Sequence, residues 1–264
     1  MLVSVMLIAK QRRKLIKIKQ AIRCVLFAIG SLFSKRIGFT VIIPTLDSWS
    51  AYTRGTFFPV RALAVDSLDY FRHFVPKTEG IVFDVGGELG YEAEQFSIIV
   101  GKRGKVYVFE CFPAHVEQLK RIAQRRNNVV VVEKACWNEK TELIFFQGHT
   151  PGSNTAIVEA RGQVGQELAN SNSNTFLVQA DTLDSLWEEL TGRAPVDFLK
   201  MDIEGAEYEA LEGAKELLTM TKKVVIAAYH VREGKPTAER VKDILGSSGF
   251  KVRIDENLHV YGTR

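Results

Sequence analysis

The feature that most constrains the fold of this chain is a short apolar run that leads through a glycine cluster into a helix-forming segment. The run Ile81–Val85 ends at Gly86 and Gly87, and the helix-forming segment covers residues 89–100. A short apolar run bounded by turn residues is typical of a strand that is buried on both faces of a sheet. The sequence therefore predicts a strand–turn–helix unit, which is the starting element of an open α/β sheet.

The alternation of strands and helices continues to the end of the chain. The further predicted strands cover residues 105–110, 129–133, 142–147, 175–179, 196–201 and 223–229, and the further predicted helices cover 113–126, 206–219 and 236–248. The polar segment 148–174 is predicted to be a long loop. The strands 250–254 and 258–261 form a predicted hairpin. This order calls for a mostly parallel sheet with helices on both faces and an antiparallel hairpin at its edge.

The first 79 residues differ from this pattern in composition. Residues 1–40 carry nine Lys/Arg and no Asp or Glu, and the rest of the chain carries 26 Lys/Arg against 31 Asp/Glu. We expect residues 1–79 to form a basic and apolar helical extension with a lead-in, including a short helix over 66–74, and residues 80–264 to form the main domain. Such segregated charge argues against nucleic acid as a partner, because a nucleic-acid-binding core spreads its basic residues along a groove.

The basic extension contains an apolar stripe. Leu15, Ile18, Ile22, Val25 and Ile29 recur at the spacing of a helix. A basic amphipathic helix suits an anionic membrane surface, whereas the alternative is a helix packed on the main domain with its charges in solvent. The uncharged run at 24–34 is too short to span a bilayer. We expect a cytoplasmic protein with peripheral membrane contact through residues 1–33, and the oligomeric state stays open.

This expectation predicts that the full-length protein co-sediments with anionic vesicles at low salt and is released at high salt. Each Lys or Arg near such a surface contributes about 1 kcal/mol, and salt screens the attraction. A variant that begins at Gly38 lacks the nine basic residues of segment 1–40 and is expected to stay in the supernatant. Uncharged vesicles are the control. Equal sedimentation of the two forms would place the membrane contact elsewhere or remove it.

The cysteines indicate a reducing compartment. Cys24, Cys111 and Cys136 are widely spaced and form neither a CxxC pair nor a zinc pattern. We therefore expect free thiols. No ligand spacing in the sequence indicates a metal site, and no segment matches a phosphate-binding P-loop or the G-x-S-x-G nucleophile motif.

The glycine turn has the features of a nucleoside-cofactor site. Gly86, Gly87 and Gly90 permit a sharp turn and a close approach of the backbone to a ligand. Glu110 ends the next predicted strand, 26 residues after Asp84, where a carboxylate can accept hydrogen bonds from ribose hydroxyls. A tight turn with a solvated Glu110 is the purely structural alternative.

A second cluster of charged residues follows the predicted strand 196–201. Lys200, Asp202 and Glu204 stand at its carboxyl end, which is the edge where open α/β sheets bind their ligands. Carboxylates at this place need partners, because isolated buried carboxylates are costly. Glu207 can instead cap the helix that follows.

Four segments together resemble the FkbM family of S-adenosylmethionine (SAM)-dependent methyltransferases. They are VFDVGGELGYEAEQF, GKVYVFECFPAHVEQLKR, ADTLDSL and VDFLKMDIEGAEYEALEGA, and their order and spacing match the family over about residues 80–263. The resemblance implies a Rossmann-like α/β fold with a seven-stranded, mostly parallel sheet and an antiparallel C-terminal hairpin strand. It also implies SAM as the cofactor and methylation of a hydroxyl on a sugar, glycan or natural-product-like small-molecule acceptor.

The resemblance further implies which residues meet SAM. The first turn lines the methionine end, Glu110 holds the ribose, the residues after the third strand lie near the adenine, and the carboxylates after strand 196–201 lie near the methyl group. The expected cofactor-binding set is Asp84, Gly86, Gly87, Gly90, Glu110, Cys111, Ala135, Cys136, Asp202 and Glu204. The chain has Glu88 where the family usually has Asn, and Cys111 where it usually has Pro.

Methyl transfer to a hydroxyl needs a base beside the acceptor. Asp202 and His230 are the candidates, since both follow predicted strands at the ligand-binding edge. The alternative for His230 is a structural histidine that bonds the backbone. Lys200 can stabilise a developing alkoxide or pair with Asp202. His149 lies in the predicted loop. We expect it to be exposed to solvent and not to contact the acceptor.

Two other classes of protein are consistent with parts of this pattern. An NAD-dependent oxidoreductase uses a similar first turn but leaves the segment KMDIEGAE without a role. A non-catalytic interaction protein with the same fold would keep the site without turnover. Calorimetry with SAM separates the oxidoreductase from the other two classes, because only the methyltransferase and the non-catalytic relative would bind it.

Overall fold

The computed structural model describes residues 41–44, 49–53, 56–60, 66–146 and 175–264. The chain divides into two compact units, Met1–His73 and Phe74–Arg264. The predicted membrane-binding segment 1–33 and the predicted loop 148–174 lie outside the described residues. None of the described helices is long and apolar enough to cross a bilayer. The predicted boundary between residues 79 and 80 stays a prediction.

The described part of the first unit is a small antiparallel sheet followed by a 3₁₀ helix. Strands β1 (Val41–Pro44), β2 (Trp49–Thr53) and β3 (Thr56–Val60) pair in the order β1-β2-β3, and the 3₁₀ helix covers Asp66–Phe71. The sequence analysis predicts a short helix here but none of the three strands. Aromatic residues favour strands, so those between positions 49 and 60 could have indicated β2 and β3.

The second unit alternates strands and helices as predicted. Its first half contains β4 (Ile81–Val85), α1 (Tyr91–Val100), β5 (Lys105–Phe109), α2 (Pro113–Arg125), β6 (Val129–Val132), β7 (Ala135–Cys136) and β8 (Thr141–Phe146). Its second half contains β9 (Thr175–Asp181), α3 (Leu183–Thr191), β10 (Phe198–Met201), α4 (Glu207–Glu212), α5 (Lys215–Met220), β11 (Lys223–Ala227), β12 (Val231–Arg232), β13 (Lys235–Pro236), α6 (Ala238–Ser247), β14 (Lys251–Ile254) and β15 (His259–Thr263).

Seven of these strands form one sheet, which confirms the predicted fold class. The order is β14-β15-β11-β10-β4-β5-β6, with parallel pairing from β11 through to β6. Strand β15 runs antiparallel to both of its neighbours. The hairpin of β14 and β15 lies at the edge of the sheet, as predicted, with β15 next to β11 and β14 outermost.

Two shorter pairings lie outside this sheet. Strands β7, β9 and β8 form a three-stranded sheet, and β12 pairs with β13. Helix α3 and the strands β7, β12 and β13 were not predicted. The start of α3 carries a recognisable signal, because the hydroxyl of Thr182 accepts the N–H of Ser185 at 3.1 Å as an N-terminal cap.

The predicted helix 206–219 is divided into α4 and α5 at Gly213. A Cβ at Gly213 would lie 2.1 Å from the carbonyl oxygen of Trp137. The close approach of the chain after β7 therefore requires a glycine here, and glycine weakens a helix interior. No periodicity of the sequence reports this contact.

The sheet is buried on both faces, as its apolar strands require. Phe83, Leu199 and Ile226 on three neighbouring strands have no solvent-exposed surface. The rings of Phe83 and Phe109 pack with centroids 5.0 Å apart. Because β4, β5, β10 and β11 are parallel neighbours, their carboxyl ends meet at one edge, and the chemically active side chains lie there.

Candidate active site

The glycine turn after β4 is packed against the end of β10. Gly86 has a φ of 81°, and a Cβ at this position would lie 1.8 Å from the carbonyl oxygen of Asp202. Gly86 and Gly87 both donate their N–H groups to the carbonyl oxygen of Phe109, at 3.0 and 3.2 Å. A side chain at Gly86 would therefore push the end of β10 away from the turn, so the glycine keeps the two strand ends together.

The other two glycines of the turn are required by packing. A Cβ on Gly87 would lie 2.2 Å from Val108, and one on Gly90 would lie 2.4 Å from Ile122. Gly90 also has a positive φ of 81° as the N-terminal cap of α1. These contacts hold the start of α1 close to β5 and α2.

Beneath the turn, a buried ion pair joins β4 to β10. Asp84 and Lys200 are register partners on the two strands, with Nζ 3.1 Å from Oδ1 and side chains that are 0% and 3% exposed. Lys200 also donates a hydrogen bond of 2.5 Å to the carbonyl oxygen of Gly86. Although burial opposes the charged form, the carboxylates of Asp84 and Glu92 raise the pKa of Lys200. Lys200 therefore stays an ammonium that ties the turn to the sheet.

Glu110, just beyond β5, is a buried acceptor beside the turn. Its Oε2 accepts the N–H of Glu88, and its Oε1 accepts the N–H groups of Cys111 and Phe112, all at 2.8 Å. Burial alone would raise the pKa of Glu110, but the interactions with His115 and with these backbone N–H groups outweigh it and lower the pKa. A carboxylate has about four lone-pair positions; three accept these backbone N–H groups, and Nδ1 of His115 lies 3.7 Å from Oε2.

Four side chains converge where β10 and β11 end. His230 Nε2 lies 3.6 Å from both Asp202 Oδ1 and Glu204 Oε2, and its Nδ1 lies 2.9 Å from Glu207 Oε1. Glu207 is fully buried and also accepts the N–H of Gly205 at 3.0 Å. The parallel neighbours β10 and β11 thus bring the residues that follow them into one cluster.

The charges around His230 decide its protonation. Burial by itself lowers the pKa of this imidazolium, but the carboxylates of Glu204, Glu207 and Asp202 outweigh burial and raise its pKa to about 10. Among the described residues that form the cluster, His230 is the one base, and it is protonated at neutral pH. It is then a donor of protons and of hydrogen bonds, and not an acceptor.

Tyr229 completes the outer side of the cluster. Its hydroxyl donates to Asp202 Oδ2 at 3.2 Å, and its ring packs on the imidazole of His230 with centroids 4.5 Å apart. Burial, followed by the charge of Asp202, raises the pKa of Tyr229, so the hydroxyl keeps its proton. The tyrosine therefore fixes the orientation of the Asp202 carboxylate.

Two further carboxyl groups lie in the first turn and the start of α1. Burial raises the pKa of Glu88, and it raises the pKa of Glu92 to about 7. Around this edge the described carboxyl groups outnumber the cations Lys200 and His230. They are Asp84, Glu88, Glu92, Glu110, Asp202, Glu204 and Glu207. Such an excess favours a ligand with positive charge.

Ala135 and Cys136, the residues of β7 that are expected near the adenine ring, are both buried but belong to different apolar clusters. Ala135 belongs to a small apolar cluster that also contacts Cys111, whereas Cys136 belongs to the main core. Burial raises the pKa of both thiols, so they stay protonated and act as small apolar groups. Cys111 and Ala135 are thus brought together, next to Glu110.

Several members of the site are not predicted from the sequence. Glu207 is predicted only as a helix cap, and Tyr229, Glu92 and His115 are not predicted site residues. Glu92 and Glu207 each follow a glycine turn at the start of a helix, which is a signal for acids near a helix N-terminus. The hydroxyl of Tyr229 meets Asp202 from the end of β10, which no local pattern indicates, whereas His115 lies five residues from its partner Glu110.

Comparison with protein families gives one match. A family model described as the methyltransferase FkbM domain matches residues 84–252, which contain the glycine turn, Glu110 and the cluster around Asp202. No curated protein matches the chain.

Comparison with solved structures gives likenesses at low identity. A methyltransferase FkbM from Methylobacillus flagellatus KT is 16% identical with a TM-score of 0.50, over 73% of this chain and 46% of that chain. The chain thus spans less than half the length of that structure. Aeropyrum pernix fibrillarin with natively bound S-adenosyl-L-methionine is 12% identical with a TM-score of 0.48, over 86% and 100% of the two chains. A SAM-dependent methyltransferase from Aquifex aeolicus is 18% identical with a TM-score of 0.39, over 71% and 81%.

Proposed function

The chain belongs to the methyltransferase FkbM family, with SAM as its cofactor, and from this premise we propose that it methylates a hydroxyl oxygen of a sugar, glycan or natural-product-like acceptor. When bound, SAM supplies a methyl group on a positively charged sulfur atom. The residues of the chain have to position the acceptor, exclude water and take up the hydroxyl proton.

The observation that carries the proposal is the contact between the glycine turn and the end of β10. No side chain fits between Gly86 and the carbonyl oxygen of Asp202. The glycine turn expected to bind the cofactor and Asp202, the expected base, are therefore in contact at the edge of the sheet. An acceptor hydroxyl beside Asp202 is therefore also beside the cofactor.

The described residues fit SAM in both charge and hydrogen bonding. Glu110 is ionised and offers carboxylate oxygens to a ribose hydroxyl, and Glu88 and Glu92 lie beside the turn that would hold the methionine end. The excess of carboxyl groups suits a ligand that carries a sulfonium and an ammonium. Ala135 and Cys111 offer an apolar surface next to Glu110 for the adenine.

We assign the proton-accepting role to Asp202. Its Oδ2 is held by the hydroxyl of Tyr229, and the side chain is partly exposed, as a group that meets an acceptor has to be. His230 is an imidazolium in this cluster and serves to position Asp202 and Glu204. Lys200 is only 3% exposed, so we assign it to holding the turn and not to the acceptor.

A transfer assay with SAM labelled in its methyl group tests the proposed function. Free sugars, lipid-linked glycans and a cell extract are the acceptors, and the labelled product is treated with base, which cleaves methyl esters and leaves methyl ethers intact. A base-stable label on a hydroxylated acceptor is expected. SAM binding without transfer to any acceptor would instead favour the non-catalytic interaction protein, and label on nitrogen or a carboxyl group would overturn the proposed acceptor class.

Glu110→Ala is expected to weaken SAM binding by about 1.5–3 kcal/mol, because hydrogen bonds to charged groups contribute that much. This is roughly a 10- to 150-fold loss of affinity, measured by calorimetry. The control is Glu117→Ala, an exposed glutamate on α2, which should bind SAM as the native protein does. Unchanged affinity in a folded Glu110→Ala variant would show that the ribose is held by other groups.

A further inference from the structure

The cluster at the ends of β10 and β11 offers the ligand atoms of a metal site. We propose that Asp202, Glu204 and His230 bind a divalent metal ion, which in turn holds the hydroxyl oxygen of the acceptor. The sequence analysis finds no metal-ligand spacing, since the three residues come from two separate strand ends. The acceptor part of this inference rests on the proposed function, whereas the metal site itself does not.

The distances within the cluster suit an ion at its centre. One ligand atom from each residue lies within 4.8 Å of the other two. Nε2 of His230 is 3.6 Å from each carboxylate oxygen, which is beyond hydrogen-bonding range. Two ligands that bind a metal at 2.0–2.2 Å are separated by about 3–3.6 Å in common geometries. The gap is therefore too wide for a direct hydrogen bond and wide enough for a cation.

Glu207 provides the outer support that metal-bound histidines use. Its Oε1 lies 2.9 Å from Nδ1 of His230, and a histidine that binds a metal through Nε2 usually donates its Nδ1–H to such a carboxylate. Glu207 has no exposed surface, and its Oε2 has no hydrogen-bond partner among the described residues. A buried carboxylate of this kind stabilises positive charge on the imidazole. When the ion binds, it takes the place of the Nε2 proton, which is released to solvent, and the positive charge beside Glu207 is kept.

The charges and the backbone agree with a bound cation. Three carboxyl groups, from Asp202, Glu204 and Glu207, surround one imidazole in a partly buried place. Glu204 has a φ of 56°, which is unfavourable for a residue with a side chain, and such outliers concentrate at functional sites. This left-handed backbone turns the chain so that Glu204 faces His230.

The ligand set narrows the choice of metal. Imidazole suits zinc, iron and other transition metals, whereas carboxylates suit magnesium, calcium and manganese. One nitrogen with two oxygens points to a divalent transition-metal ion such as Mn²⁺, with open positions for water or an acceptor. A hydroxyl bound to such an ion loses its proton more readily. The O–H bond then breaks, the proton passes to Oδ2 of Asp202, and the electron pair stays on the acceptor oxygen.

Titration of the chelator-treated full chain with Mn²⁺, followed by the loss of the free-ion EPR signal, tests the metal site. One Mn²⁺ per chain is expected. His230→Gln and Glu204→Gln should weaken binding at least 100-fold, and Glu207→Gln should weaken it about 10- to 100-fold, as loss of an outer-shell partner does. Glu212→Gln, at the end of α4, is the control and should bind as the native chain does. Absence of stoichiometric binding would overturn the proposal.

A second measurement needs no variant and covers the case in which a substitution prevents folding. Pulsed EPR of Mn²⁺ bound to the native chain should show a coupling to the nitrogen of a coordinated imidazole. Bound Mn²⁺ without this coupling would overturn the site as proposed.

The failure of this inference is distinguishable from failure of the proposed function. If methyl transfer proceeds at the same rate after chelation and the chain does not bind Mn²⁺, the proposed metal site is wrong and the proposed methyltransferase activity stands. Mn²⁺ binding with the nitrogen coupling, but without transfer to any hydroxyl, would keep the metal site and overturn the proposed acceptor.

Discussion

Asp202→Asn is expected to reduce turnover by about 10²- to 10⁴-fold, the range that a positioned general base contributes. Asparagine keeps the shape of the side chain and can still accept the hydroxyl of Tyr229, but it cannot take up a proton. The affinity for SAM should change far less, because the side chain faces the acceptor end of the site. The loss should therefore lie in kcat and not in the binding of the cofactor.

The measurement is kcat with both substrates saturating, together with calorimetric titration of SAM. Asp243→Asn, an exposed aspartate on α6, is the matched control and should retain full turnover. A folded Asp202→Asn variant that turns over normally would remove this residue from the mechanism and leave the base to be sought among the groups that meet the acceptor.

Lys200→Met is expected to destabilise the protein by about 3–5 kcal/mol, because it leaves Asp84 as a buried carboxylate without its partner. The carbonyl oxygen of Gly86 loses its hydrogen bond in the same variant. For a unit of this size, each kcal/mol lowers Tm by about 2–4 °C, so Tm should fall by roughly 6–20 °C. The loss should appear as a lower midpoint in urea denaturation.

Adding Asp84→Asn to Lys200→Met should recover part of this loss, since the unpaired charge is then removed. Lys105→Met, at the exposed start of β5, is the control and should stay within about 0.5 kcal/mol of the native protein. If Lys200→Met is as stable as this control, the pair between Asp84 and Lys200 does not anchor the glycine turn.

The predicted elements that the structure reproduces are those with a strong local pattern. The run Ile81–Val85 and the β-branched run Val129–Val132 are strands because apolar, β-branched residues of this length favour a buried parallel sheet. Proline at the first position of α2 marks the helix start correctly. The resemblance to the FkbM family and the fold class are confirmed in the same region.

The elements that the sequence analysis misses depend on neighbours that are distant along the chain. The two residues of β7 form a strand only because they pair with β9. The interruption between α4 and α5 follows from the carbonyl group of Trp137. The hairpin of β14 and β15 is predicted correctly, but the pairing of β15 with β11 joins segments that no local pattern connects.

By itself, the sequence determined the order of strands and helices, the glycine turn and the placement of Glu110 and Asp202 at strand ends, because each follows from the periodicity and turn residues of a short segment. The tertiary structure alone decided which side chains meet. Lys200 reaches Asp84 because β10 pairs with β4 in one particular register. Asp202 and Glu204 face His230 because β10 and β11 are parallel neighbours, and strand order is a property of the whole sheet that no local stretch of residues encodes.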